Sequence, residues 1–287
     1  MKRLIFIILS MFIITSIMTG CQWKEPSAKE IVLMGIEADQ DIEQYSFYGT
    51  VYLHANSVQA DAENHLLSLL PLFSNSKIEI KGKEMVESMR MEAMVKITFP
   101  ETGYTMEIPL LHKDERWLVK LPDILIPADP DGTKEYISLK EELKGSSLKE
   151  WVDHLDEDSF KKEEISDMPA DEKIKQIVTL SIDQEDLNSI PDLPFLFTDF
   201  QNKATINQLK TTFYYDEQYY TRKIQINAKL ILNPTEEKPT LLDIQIEENI
   251  EDINKEIPFE IPVPSEEQII EFEDLKENNS FYIGYTK

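Results

Sequence analysis

The sequence predicts an α+β fold built around a large antiparallel sheet. Three observations predict it. Apolar residues alternate with polar ones in many segments, as they do in strands with two different faces. The links between successive segments of this kind are mostly short, whereas parallel neighbours need long crossovers. Helical spacing of apolar residues occurs near residue 30 and again near residue 150.

The first helix has a clear start. Ser27-Ala28-Lys29-Glu30 has the pattern of a capping box, in which the Ser27 hydroxyl and the Glu30 carboxylate each bind a free backbone N–H. The pattern predicts a helix that runs to about Asp39. Its predicted apolar face consists of Ile31, Met34, Gly35 and Ala38.

Two blocks of strands are separated by a predicted second helix. The strands of the first block are predicted at residues 45–53, 77–85, 90–98, 104–110 and 117–121. Residues 138–162 are charged and favour a helix, with one apolar stripe that consists of Leu148, Trp151, Val152 and Leu155. The strands of the second block are predicted at residues 177–183, 211–215, 219–232 and 242–246.

The end of the second block is richer in acids and prolines. Residues 247–252 are predicted to be a solvated acidic stretch. The segment Ile257–Pro262 follows, with proline at positions 258 and 262. Because proline is tolerated best at the edge of a sheet, this segment is predicted to be an edge strand.

The N-terminus predicts export and lipid anchoring. Lys2 and Arg3 precede an apolar run that is short for a membrane span, so residues 1–20 are interpreted as a signal peptide. Thr19 and Gly20, directly before Cys21, resemble the lipobox of bacterial lipoproteins, in which the cysteine thiol is acylated. Cys21 is the only cysteine of the chain. The alternative is an ordinary secreted protein in which Cys21 has no role.

This interpretation gives a domain plan and a location. Residues 21–26 form a short tether and residues 27–287 a single domain, held by lipid at the extracytoplasmic face of the cell membrane. The tether reaches less than about 20 Å, so the domain lies close to the bilayer.

Composition excludes several classes of function. The net charge is −25, and it becomes −27 when Lys2 and Arg3 are removed, which disfavours binding to nucleic acid. No glycine-rich phosphate loop, nucleophile elbow or paired histidine spacing is present, so neither a cofactor nor a metal site nor catalysis is predicted. The Asp-Pro-Asp-Gly fragment at residues 129–132 is interpreted as a turn, because it lacks the later acid of a calcium loop.

Apolar segments also occur outside the predicted strands. They contain Leu69, Leu70 and Phe73 in the first, Leu125 in the second, and Phe195 and Phe197 in the third. The first segment is predicted to pack on the sheet, with a lid or a loop that dips into the bilayer as the alternative.

The order of these elements resembles that of Gram-positive lipoproteins of the LolA/LprG-like superfamily. The resemblance rests on residues 45–53 opening the sheet, residues 117–122 ending the first block and residues 257–262 closing the second. It implies a curved half-barrel sheet with helices on its concave side and, in several members, acyl chains in the cavity. Trp151 and its helix would then line the helical plug of the cavity, and the three apolar segments, which contain the residues proposed to bind a ligand, would form the mouth.

Two functions of different kinds follow. The first is a non-enzymatic binding protein for a lipid or another apolar ligand. The second is an interaction module with a filled core, which presents its acidic surface to a membrane protein, a wall polymer or a cation. An unrecognised hydrolase would need a cleft with convergent polar groups.

Overall fold

The computed structural model describes residues 25–56, 74–99, 102–114, 116–120, 135–140, 148–165, 173–184, 186, 204–232 and 239–271. Helix α1 is Ala28–Asp39 and helix α2 is Leu148–His154. The strands are β1 Gln44–Ala55, β2 Lys77–Met85, β3 Arg90–Phe99, β4 Tyr104–Lys113, β5 Arg116–Lys120, β6 Tyr136–Lys140, β7 Phe160–Lys162, β8 Gln176–Ile182, β9 Ala204–Tyr215, β10 Thr221–Leu232, β11 Thr240–Glu251 and β12 Ile269–Glu271.

All described strands belong to one open, curved sheet. Its order is β12-β6-β5-β4-β3-β2-β1-β11-β10-β9-β8-β7, so the pairing of β1 with β11 joins the two blocks. Every neighbouring pair is antiparallel except β12 with β6. The predicted α+β half-barrel is confirmed. Both edge strands are only three residues long, which limits pairing with other chains.

The two faces of the sheet differ. We call the face that carries α1 and α2 the inner face, and the opposite one the outer face. Helix α1 packs on β7, on β8 and on α2, and Val152 of α2 belongs to the same core. The core between the helices and the sheet includes Ile31, Val32, Val152, Val178, Leu180, Phe213 and Tyr215.

Helix α1 begins as predicted. The Ser27 Oγ accepts a hydrogen bond from the Glu30 N–H at 3.2 Å, and the Ser27 N–H donates to Glu30 Oε2 at 2.6 Å. The buried side consists of Ile31, Val32 and Gly35. Met34, which was predicted to be on that side, is 37% exposed. Gly35 sets this orientation, because a Cβ there would lie 2.2 Å from the Tyr215 ring.

The predicted helix over residues 138–162 is wrong at both ends. Among the described residues of this range, residues 148–154 form an α-helix and residues 157–159 a short 3-10 helix, whereas residues 138–140 belong to β6 and residues 160–162 to β7. The apolar stripe is real where it faces the core, since Val152 is fully buried and Leu155 is 2% exposed. Sheet pairing overrides the helical preference of the charged flanks.

Two predictions near the C-terminus are also wrong. Residues 247–251 are the second half of β11 and not a solvated stretch, because they pair with β1 and β10. Ile257–Pro262 forms no strand. Proline lacks a ladder donor, and this segment is instead part of a strap, residues 252–268, that crosses the outer face from β11 to β12.

A buried acid holds the strap. Glu92 of β3 is 4% exposed and accepts the Glu260 N–H at 2.9 Å and the Ile261 N–H at 2.8 Å. Lys83 lies 3.5 Å from the same carboxylate. A buried carboxylate is tolerated only with such partners, so Glu92 is a structural clamp.

We expect Glu92→Gln to weaken this clamp. The amide group offers one acceptor oxygen in place of two, and a strap N–H is left without a partner, so the free energy of unfolding should fall by about 1–3 kcal/mol. Urea unfolding measures this change, and limited proteolysis should cut the strap faster. The control is Glu107→Gln at an exposed position of β4. Equal stability of the two variants would contradict the role of Glu92.

Candidate functional site

The central strands carry a continuous aliphatic surface on the inner face. Register places Val51 between Ile246 and Ile78, and Val95 between Ile80 and Ile108. These side chains are half-buried, and β9 and β10 separate their strands from β7 and β8, on which α1 packs. We call this set the inner surface; it comprises Val51, Leu53, Ile78, Ile80, Val95, Ile108, Leu110, Val119, Ile244 and Ile246. Aliphatic side chains that converge on one face in this way form a candidate binding site for an apolar ligand.

The predicted mouth residues are not among those that the structure describes. Leu69, Leu70, Phe73, Leu125, Phe195 and Phe197 all lie outside the described residues, as does Cys21. Each of the three segments connects two neighbouring antiparallel strands: β1 and β2, β5 and β6, and β8 and β9. The strand ends at which the three segments begin and finish all lie at the same end of the sheet. The predicted roles of these seven residues stay predictions.

Trp151 is the one predicted site residue that the structure describes. It lies on α2, is half-buried and packs against the core between the helices and the sheet. Its neighbour Val152 is fully buried in that core. Trp151 therefore lies on the helix-covered side of the sheet, and its predicted role in binding stays a prediction.

A carboxylate interrupts the inner surface. Glu248 of β11 falls in step with Ile246 and Ile250, so its side chain lies on the inner face. Across the strands it stands between Gly49 and Ile224. Burial raises the pKa of the Glu248 carboxyl above its ordinary value, and the nearby Glu84 carboxylate raises the pKa further.

Further acidic groups lie at the same end of the inner face. Tyr45 stands opposite Glu84 and donates its hydroxyl to that carboxylate. Burial first, and then the hydrogen bond to Glu84, raise the pKa of Tyr45. Asp39, at the end of α1, also has a raised pKa, chiefly from burial, but it is held by Thr221 through hydrogen bonds of 3.0 and 2.6 Å. The field around Glu248 is therefore negative.

Two glycines on the inner face of the sheet differ in their surroundings. A Cβ at Gly82 would lie 2.5 Å from the Phe47 ring and 2.6 Å from the Glu92 carbonyl oxygen, so that position is filled. A Cβ at Gly49 would meet only backbone oxygens among the described residues, the nearest being that of Glu247 at 3.4 Å. Gly49 is buried, and no side chain of the described residues fills the place of its missing Cβ, which lies directly beside Glu248 and which we call the recess at Gly49.

Sequence reasoning missed Gly49 and Glu248 as site residues. Glu248 was included in a solvated acidic stretch because acids dominate residues 247–252. The signal that could have found it is the period of two, since Leu242, Ile244, Ile246 and Ile250 occupy the alternate positions around it.

Other features give no catalytic geometry. The described residues contain no group of three or more His, Cys, Asp or Glu side chains that could hold a metal ion. A groove of about 400 Å³ lies along α1, and another of about 410 Å³ is lined by Asp156, Asp158, Asp183 and Asp186, among others. Both grooves lie away from the inner surface.

Comparisons with known proteins identify no family. No family model and no curated protein matches the chain. Among solved structures, the Mycobacterium tuberculosis lipoprotein LppX is similar, with 12% identity over 83% of this chain and 100% of that chain and a TM-score of 0.41. A likeness of this size carries no argument about function. Within the described part of the chain, no helix has the length and apolar character needed to cross a membrane.

The two glycines make a matched pair for mutation. Gly49→Ala should raise the free energy of unfolding by about 0.5–1 kcal/mol, because the methyl group finds space and the unfolded chain loses freedom. Gly82→Ala should lower it by about 1–3 kcal/mol, because Phe47 must move. Urea unfolding of both variants measures the difference. The same loss of stability in both would contradict the recess at Gly49.

The ionised Glu248 side chain should lower the free energy of unfolding at neutral pH. Because its pKa is raised in the folded state, ionisation above that pKa disfavours folding, whereas below the ordinary value of 4.5 the penalty is absent. Glu248→Gln should therefore raise the free energy of unfolding at pH 7.5, by an amount that shrinks as the pH is lowered to 5. Urea unfolding across this range tests the sign; a gain that grows at lower pH would contradict it.

Proposed function

We propose that this protein is a lipid-anchored, extracytoplasmic binding protein that accepts an apolar ligand on the inner surface. The observation that supports this function is the row of half-buried aliphatic side chains on the inner face, from β11 to β5 in the order of the sheet. Ala93 and Ile97 of the same face and the residues beneath α1 are buried, whereas the side chains of this row stay half-buried, so part of each could contact a ligand.

The proposed anchor would hold the binding surface close to lipid. Helix α1 begins at Ala28, and only a few residues separate it from Cys21. At Lys162, β7 contacts Glu25 at 3.6 Å, so the start of the described chain is attached to the helix-covered side of the sheet. Two acyl chains on Cys21 would bind stably to a bilayer and place the domain where apolar molecules are abundant.

The proposed role is non-enzymatic. Among the described residues the carboxylates with raised pKa values are Asp39 and Glu248. Asp39 is occupied by Thr221, and Glu248 faces aliphatic side chains and not a nucleophile or a metal site. Neither forms the pair of base and nucleophile that hydrolysis needs.

The binding surface can be tested with two neighbouring residues on opposite faces. Val95→Gln places an amide group on the inner surface and should weaken binding of the neutral apolar probe N-phenyl-1-naphthylamine about tenfold, which corresponds to about 1.4 kcal/mol. Met94→Gln on the outer face, at a position that is 38% exposed, is the control. Fluorescence titration of the mature chain with Cys21→Ser provides the measurement.

Three outcomes of that titration are decisive. Weaker binding by the Val95 variant alone supports the inner surface as the site. Equal effects of the two substitutions, or no binding of the probe by the parent chain, would contradict the proposed function. Thermal unfolding of both variants confirms that they are folded at the temperature of the titration.

The anchor has its own test. With Cys21→Ser, we expect the protein to leave the membrane fraction and to lose metabolic labelling by palmitate, because no other cysteine can be acylated. The wild-type chain should keep both properties. Firm membrane retention of the Ser variant would contradict lipid anchoring. It would not bear on the apolar site, which the titration tests separately.

The second candidate is the acidic interaction module. It is favoured by the groove that Asp156, Asp158, Asp183 and Asp186 line, because these acids lie together at the surface. Binding of a cationic partner there would weaken as salt screens the exposed charges. A partner interaction that is unaffected by salt would count against this candidate.

A further inference from the structure

We propose that the apolar ligand carries a cationic head group, such as a primary ammonium, and that this group binds beside Glu248 in the recess at Gly49. This inference rests on the proposed function and names the class of its ligand: a cationic amphiphile whose alkyl part lies on the inner surface.

The first argument is the isolation of the Glu248 carboxylate. Its neighbours on the inner face are Ile246 and Ile250 along the strand, and Gly49 and Ile224 across it. Among the described residues no cation pairs with Glu248 and no side chain donates a hydrogen bond to it. A half-buried carboxylate in such surroundings is disfavoured unless a partner of opposite charge is supplied.

Glu92 on the outer face is a glutamate whose carboxylate has hydrogen-bond and charged partners, and it serves as the comparison. Glu92 accepts two backbone N–H groups of the strap and has Lys83 at 3.5 Å. Glu248 has no such partners among the described residues, so its charge makes no stabilising contact within that part of the fold. Burial and the Glu84 carboxylate both raise its pKa, which is the direction expected for an acid that lacks its cation.

The second argument is the space beside the carboxylate. Gly49 stands directly opposite Glu248 on β1, and a Cβ at Gly49 would have no side-chain atom of the described residues within 4 Å. On the other side of Gly49 lies Ile80, a residue of the inner surface. A ligand on the inner surface can therefore bring its head group to Glu248 without displacing a side chain of the described residues.

The third argument is the sign of the surrounding charge. Glu84 and Asp39 lie near the Tyr45 hydroxyl together with Glu248, and Tyr45 itself donates to Glu84. A carboxylate or phosphate head group would meet repulsion from these acids. An ammonium group would instead form charge-assisted hydrogen bonds, which are strong where water is scarce.

The test compares three amphiphiles with the same chain length. Dodecylamine, dodecanol and dodecanoate compete with N-phenyl-1-naphthylamine for the mature chain with Cys21→Ser at pH 7, below their micelle concentrations. We expect dodecylamine to displace the probe at about tenfold lower concentration than dodecanol, and dodecanoate to be the weakest competitor.

Two charge-matched variants separate a local contact from the general negative field of the protein. Glu248→Gln should bring dodecylamine and dodecanol to within about twofold of each other. Glu251→Gln, at an exposed position of the same strand, removes the same charge and should keep the tenfold preference. Both variants keep the shape of the side chain, and their thermal unfolding is measured alongside.

The outcomes distinguish this inference from the proposed function. Equal competition by amine and alcohol in the parent chain, or a preference that survives Glu248→Gln, overturns the cationic head group and leaves the apolar site standing. Failure of the parent chain to bind the probe overturns the proposed function and this inference together.

Discussion

The alternation of side chains across a continuous set of strand registers is the constraint on which the rest of this structure depends. From β10 through β11, β1, β2 and β3 to β4, each register sets aliphatic residues against aliphatic residues at most inner-face positions, with Glu248 as an exception. A slip of one residue in any pair would turn that row to the outer face. The register of the central pair, β1 with β11, matters most, because this pair joins the two blocks of strands into one surface.

The two faces of the sheet differ in the surroundings of their buried acids, Glu92 and Glu248. On the outer face Glu92 is almost completely buried, yet its oxygens are occupied by the strap. On the inner face Glu248 is less buried and is left without a donor among the described groups. Burial of a charge is compatible with stability only where hydrogen bonds replace water. The acid of the outer face therefore has a structural role, and the acid of the inner face is the one that we propose for ligand binding.

Local patterns were sufficient for much of this fold. The capping box at Ser27 and the alternation in β1 to β5 are signals that lie within a few residues, and both predictions are confirmed. The charged flanks of α2 were misleading because helix preference is weak compared with pairing in a sheet. The proline-rich strap resembled an edge strand, yet its attachment depends on Glu92, which lies 168 residues away from Glu260.

The candidate site was harder to predict for the same reason. Whether Gly49 is a recess or a filled position depends on the residues opposite it in β2 and β11, and no local rule gives those registers. Gly82 has the same residue type and lies on the same face, but the Phe47 ring occupies its space. Glu248 was visible in the alternation of β11, but the surrounding acids favoured a solvated interpretation.

The central position of β1 has a consequence for how the chain folds. Its partner β11 is separated from it by most of the sequence; the hydrogen bond from Ser46 to Asp252 at the end of this pair spans 206 residues. Strands β1 to β5 can assemble as soon as they are synthesised, but one edge of that unit stays unpaired until nearly the whole chain has emerged. A topology with such distant contacts folds slowly, and the exposed edge invites aggregation in the meantime. This protein is therefore expected to depend on a folding catalyst or holdase during its maturation more than a sheet whose strands pair in order of synthesis.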